Sequence, residues 1–157
     1  MPSRVIRSPE DRERLFAALS AELPPFTVAW KKGAHRTKPQ NRLSWKWYTE
    51  LAAQMDDREI EDVRAYCKLH YGVPILRAED HLFRATYDKT IKPLDYEDKI
   101  AAFKQFQFPV SSLMSKPQMI RYLDTIQRSF LERGYTLTDP DPAYLEWRKS
   151  VKTTKGE

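Results

Sequence analysis

PQNRLSWKWYTELAAQM, residues 39–55, is the stretch from which the fold can be read. Leu43, Trp47, Leu51 and Met55 recur at every fourth position. At about 100° per residue this spacing lays them along one slowly drifting stripe of a helix, which must then face a core. Trp47, in phase with the leucines, is read as part of that core. Thr37 or Lys38 followed by Pro39 gives the helix its start, because proline's fixed φ and missing N–H suit the first turn. Trp45 falls on the other side, near Asn41, Arg42 and Thr49.

Towards the N-terminus, Lys31–Lys38 with Gly33 reads as a basic turn, and Phe26–Trp30 has the β-branched and aromatic content of a strand. Pro24-Pro25 ends an earlier helix that runs from Ser8-Pro9-Glu10-Asp11 to about Ala21. That tetrapeptide supplies an N-cap, a proline in the first turn and early acids. Ser3–Arg7 reads as a short strand.

Towards the C-terminus, Asp56-x-x-Glu59 resembles a capping box and opens a third helix carrying Ile60, Val63, Cys67 and Tyr71 on one face. Gly72 and Pro74 are expected to end it. His81–Tyr87 is read as a strand and Tyr96–Phe106 as a strand or short helix. Ser115-Lys-Pro-Gln118 is a second capping box, followed by Met119, Leu123, Ile126 and Phe130 before Gly134 closes the helix. Asp139-Pro-Asp-Pro142 starts a final helix with Tyr144, Leu145 and Trp147. There is no internal repeat. The expectation is an α+β fold, a helix-rich single domain over residues 1–150 with a small antiparallel sheet, and a flexible basic polar tail over 151–157.

The 157 residues suit one domain with an ordinary core. The single cysteine, Cys67, is expected to be a buried small apolar residue. The charged start MPSRVIRSPEDRERLF shows no secretory signal, and no run approaches membrane-spanning length, so a cytoplasmic protein is expected. The net charge of +5 counts for less than its distribution. Between Glu22 and Glu50 there is no acid, while Lys31, Lys32, Arg36, Lys38, Arg42 and Lys46 all lie there.

KKGAHRTKPQNRLSWKWY, residues 31–48, interleaves these cations with aromatic rings and amides. Single-stranded nucleic acid calls for that chemistry: cations neutralise phosphates, rings stack on unpaired bases, and Gln or Asn reads base edges. For Trp45 two readings stand: packing against another element or subunit, or stacking on a base. An ordinary solvated helix face mixes both signs of charge, which this run does not.

An enzymatic alternative is a Mg²⁺-dependent, structure-selective nuclease, which would need two or three converging carboxylates. Asp56, Asp57, Glu59, Glu61 and Asp62 are dense, but helical spacing spreads them around the cylinder. Asp95, Glu97 and Asp98, like Asp139 and Asp141, sit in apparent linkers. His35, His70 and His81 lack metal-ligand spacing, and no phosphate-binding glycine loop exists. Ser111-Ser112 is read as a cap or turn rather than a nucleophile. No cofactor or metal is expected. A third reading is a protein-only adaptor whose basic face docks on an acidic partner tail.

Gln40-Asn41-Arg42-x-x-Trp45, after a basic turn and opening a helix, resembles the signature of the NinB/Orf recombination proteins of lambdoid phages. Ser111-Ser112-x-Met114, Tyr122–Gln127 with Glu132-Arg133-Gly134, and Leu145-Glu146-Trp147-Arg148 resemble later blocks of that family in the same order. Residues 75–108 match nothing in it. The resemblance implies a homodimer that binds single-stranded or tailed DNA without sequence preference. It also implies partnership with a single-strand-binding protein and help in loading a recombinase. Gln40 and Trp45 would be the functional pair, with Arg148 and Lys149 contributing from the C-terminal helix. The expected DNA-contacting set is therefore Lys31, Lys32, Arg36, Lys38, Gln40, Asn41, Arg42, Trp45, Lys46, Arg148 and Lys149.

Overall fold

The computed structural model describes residues 4–30 and 38–155, and of 152–155 the backbone alone. Two compact units divide the chain, residues 1–37 and 38–157. Among the described residues every regular element is helical and there is no strand, so the expected small sheet is absent and the α+β assignment is corrected to α.

In the first unit α1 spans Pro9–Ala21 as its start signal demands. The Ser8 hydroxyl accepts from the Asp11 N–H at 3.2 Å. No residue of α1 is buried. Residues 4–7 and 26–30 take no regular secondary structure and join no ladder. Val5, Ile6, Phe26, Val28 and Trp30 are all exposed. The two strands expected here are not formed, because strand propensity describes fit to a sheet and cannot supply the neighbouring strand that makes one.

The second unit holds the core. α2 spans Pro39–Gln54, and its stripe lies where the periodicity puts it: Leu43, Trp47 and Leu51 are buried. α3 spans Ile60–Cys67. Its capping box is Glu59/Asp62, three residues along from the expected Asp56/Glu59, and the Asp62 carboxylate accepts from the Glu59 N–H at 2.9 Å. Gly72 and Pro74 do not stop the chain. A π-turn over Lys68–Gly72 carries it into α4, Val73–Glu79, with the Val73 N–H bonded to the Lys68 carbonyl. The wider turn tolerates Pro74, which has no N–H to give the ladder. Gly72 serves packing instead: a Cβ there would come within 2.5 Å of Val110 Cγ1.

The predicted strand at His81–Tyr87 is helical. α5 spans His81–Thr90, capped by Asp80, whose carboxylate accepts from the Phe83 N–H at 3.0 Å. Tyr96–Phe106 takes the helical one of its two readings, as α6. A short 3₁₀ turn at Ser111–Leu113 leads into α7, Lys116–Glu132, where the Ser115/Gln118 capping box is present in full. Gly134, at φ +90°, closes α7. The Tyr135 N–H returns to the Phe130 carbonyl, and the two rings meet edge to face at 5.7 Å. α8 spans Pro142–Lys155, so backbone assigned to a tail from 151 onward is helical through Lys155.

The helix running from Ile60 to Glu79 separates two apolar clusters. Val63 and Cys67 face the first, with the α2 stripe, Tyr122, Leu123, Ile126, Phe130 and Tyr144. Ala65, Val73 and Leu76 face the second, with Tyr87, Ile91, Phe103 and Val110. Cys67 is fully buried, as expected, and burial pushes its thiol pKa up. The irregular stretch after α7 has its backbone groups met by α2. Trp47 Nε1 donates to the Thr138 carbonyl at 2.8 Å, Glu50 accepts from the Thr138 N–H at 2.9 Å, and Gln54 exchanges two bonds with the Thr136 backbone.

Candidate nucleic-acid interface

The outward face of α2 carries Asn41, Arg42, Trp45 and Lys46, all exposed, with Lys38 at its start. Trp45 keeps 47 % of its surface accessible. Its ring meets Tyr48 edge-on at 6.4 Å, and the Arg64 guanidinium lies 5.7 Å from its centroid. Trp45 thus combines packing with accessibility: one side leans on the fold beneath a cation, and the rest is open. Trp47, two residues on, is 1 % exposed. Lys31, Lys32 and Arg36 lie outside the described residues.

Gln40 and Trp45 do not share a face, since five residues of helix separate them by roughly 140°. Gln40 is buried and borders a cleft of about 530 Å³ between the starts of α2 and α7. Lys38, Pro39, Gln40 and Asn41 form one wall. Ser111, Ser112, Ser115 and Lys116 form the opposite wall, and Met114, Met119 and Trp147 give it an apolar side. Among the described residues the Gln40 Oε1, buried there, has no hydrogen-bond partner.

A four-residue echo accounts for the two walls. Thr37-Lys-Pro-Gln40 and Ser115-Lys-Pro-Gln118 are near-identical, though too short to count as a repeat, and each runs into the first turn of a long helix. Their glutamines differ in fate. Gln118 Oε1 accepts from the Ser115 N–H at 2.8 Å, and its Nε2 donates to Glu79 at 2.7 Å. The N-cap of α2 is Lys38, which puts Gln40 one position earlier in its helix than Gln118 is in α7.

Of the C-terminal pair, Arg148 is held by Asp124 through two bonds of 2.5 and 2.9 Å, and that carboxylate raises its pKa. Lys149 is exposed. α8 sends Trp147, not Arg148 or Lys149, to the cleft. Ser111, Ser112, Lys116 and Trp147 were missed as candidate site residues. The echoed tetrapeptide was the signal that could have found Lys116, whereas Trp147 reaches the cleft only through the packing of α8.

The acidic residues are dispersed: Asp62 pairs with Lys104 at 2.9 Å, Asp88 with Arg77 at 2.8 Å, and Asp95 and Asp141 cap helices. Among the described residues no three of His, Cys, Asp and Glu are grouped as a metal ion would need. His70 meets the Tyr96 hydroxyl at 3.0 Å, His81 begins α5, and His35 lies outside the described residues. No described helix is long and apolar enough to cross a membrane.

No known protein family, curated protein or solved structure matches this chain.

Proposed function

We propose that this protein binds single-stranded DNA without catalysing a reaction on it, as a recombination accessory of the kind its resemblance to the NinB/Orf proteins implies. The observation that carries the reading is Trp45, an indole nearly half exposed on a helix face where Arg42 and Lys46 flank it and Arg64 backs it. An accessible ring between cations lets a base stack while its phosphates are neutralised. The face continues through Asn41 to Lys38, and no acid interrupts it between Glu22 and Glu50.

The single-strand-binding protein, the recombinase and the cytoplasmic setting belong to the same proposal by resemblance. So does the homodimer. Its support is the first unit, where a helix with no buried residue is flanked by exposed Val5, Ile6, Phe26, Val28 and Trp30. Thirteen residues of helix are marginal alone in water, and such a surface is suited to cover from a second copy.

Fluorescence titration of Trp45→Ala with an oligothymidylate tests the reading. A loss of about tenfold in affinity, with unchanged melting, is expected from removing one stacked base. An unchanged affinity in the folded variant would overturn it.

A further inference from the structure

We infer that the cleft between the starts of α2 and α7 receives one unstacked nucleotide of the bound strand. Its base would lie beside Trp147, with its phosphate towards Lys38 and Lys116. This rests on the nucleic-acid reading above and deepens it by naming a second, separate point of capture.

Gln40 points to a ligand. Buried carboxamide oxygens are almost always bonded, because an acceptor removed from water loses its partners there. Gln40 is 8 % exposed, it lines the cleft, and its Oε1 has no partner among the described residues. Gln118, in the matching tetrapeptide, has partners for both ends of its amide. What Gln40 lacks is a donor, and every nucleobase offers an N–H on its pairing edge.

The rest of the cleft fits the rest of a nucleotide. Its volume of about 530 Å³ is in the range of small-molecule sites. The indole of Trp147 and the thioethers of Met114 and Met119 supply a polarisable apolar side. The starts of two helices, of 16 and 17 residues, converge with Lys38 and Lys116, which favours an anion at the mouth. Asn41 borders the cleft and lies on the exposed side of α2 next to Arg42, so a strand on the Trp45 face has a continuous polar path inward.

The test is a titration of isotope-labelled protein with thymidine 5′-monophosphate, with inorganic phosphate in parallel. The nucleotide should shift the Gln40 side-chain amide and the Trp147 indole signals, and phosphate alone should leave both in place. Ser112→Trp, on the exposed 3₁₀ turn, should fill the cleft, abolish these shifts and weaken an oligothymidylate about tenfold, the loss of one base contact. Gln40→Leu should abolish the Trp147 shift without lowering the melting temperature.

If phosphate alone reproduces every shift, the cleft is only an anion site and the base assignment falls. If Gln40→Leu melts early yet keeps the Trp147 shift, the glutamine is structural and the inference falls. Normal oligonucleotide binding by folded Ser112→Trp, with Trp45→Ala impaired, removes the cleft and keeps the outer face. The reverse pattern keeps the cleft and removes the outer face.

Discussion

The hydroxyls of Tyr48 and Tyr122 meet at 2.6 Å inside the first cluster, joining α2 to α7 where neither side chain reaches water. Each phenol is the other's answer to burial. Tyr122→Phe should cost about 1–3 kcal/mol, because it strands the Tyr48 hydroxyl. Replacing both by Phe should cost clearly less than the sum of the single changes. Denaturant melts of the four proteins in the double-mutant cycle check this, and strict additivity would mean that the pair is not coupled.

Electrostatic capture on α2 predicts a salt signature. The logarithm of oligonucleotide affinity should fall linearly with the logarithm of salt, and Arg42→Ala or Lys46→Ala should each make the slope shallower by about 1. Titrations at several salt concentrations decide it, since a slope untouched by both substitutions would place the phosphates elsewhere.

Gly72 predicts a pair of compensating changes. Its hypothetical Cβ lies 2.5 Å from Val110 Cγ1, too close to be absorbed without moving the π-turn or the chain before the 3₁₀ turn. Gly72→Ala should destabilise by about 1–3 kcal/mol through overpacking. Adding Val110→Ala, which removes the clashing methyl, should recover part of that loss. Thermal melts of the single and double variants measure the recovery.

Lys68 sits at 3 % exposure with its ammonium donating to the Phe108 carbonyl at 3.1 Å. Burial first, and Arg64 second, lower its pKa to about 8. Between that value and the ordinary 10.5 the unfolded chain holds a proton that the folded chain does not, so this group's contribution to stability rises with pH. The melting temperature of the wild type relative to Lys68→Met should therefore climb from pH 8 to 10, and a constant difference would sink the assignment.

Where the sequence carried its own local cause, the fold was legible. Ser8, Pro39, the Ser115/Gln118 box and Gly134 each act within one turn of chain, and each marks the helix end it was expected to mark. The segments 4–7 and 26–30, and His81–Tyr87, were not legible in the same way. In the first two the outcome depends on whether a neighbouring strand exists. In the third, the aromatic and β-branched residues Phe83, Thr86 and Tyr87 fit a helix as readily, once Asp80 caps it. Gly72 looked like a stop signal because a helix-ending glycine and a close-packing glycine are the same letter.

The candidate site divides likewise. The opposite faces of Trp45 and Trp47 follow from helical phase, and their exposures of 47 % and 1 % agree with it. The cleft beside Gln40 depends on α7 and α8 arriving from more than 70 residues away, and no local pattern announces that meeting.

The π-turn at Lys68–Gly72 also makes the chain intolerant of small length changes in one place. Deleting any residue there would leave an ordinary helix but rotate everything beyond it by about 100°. Ala65, before the turn, would then fall out of register with Val73, Leu76, Tyr87 and Phe103 beyond it. Insertions and deletions should accumulate in the linkers on either side of α6, while the five-residue turn keeps its length even where its residues change.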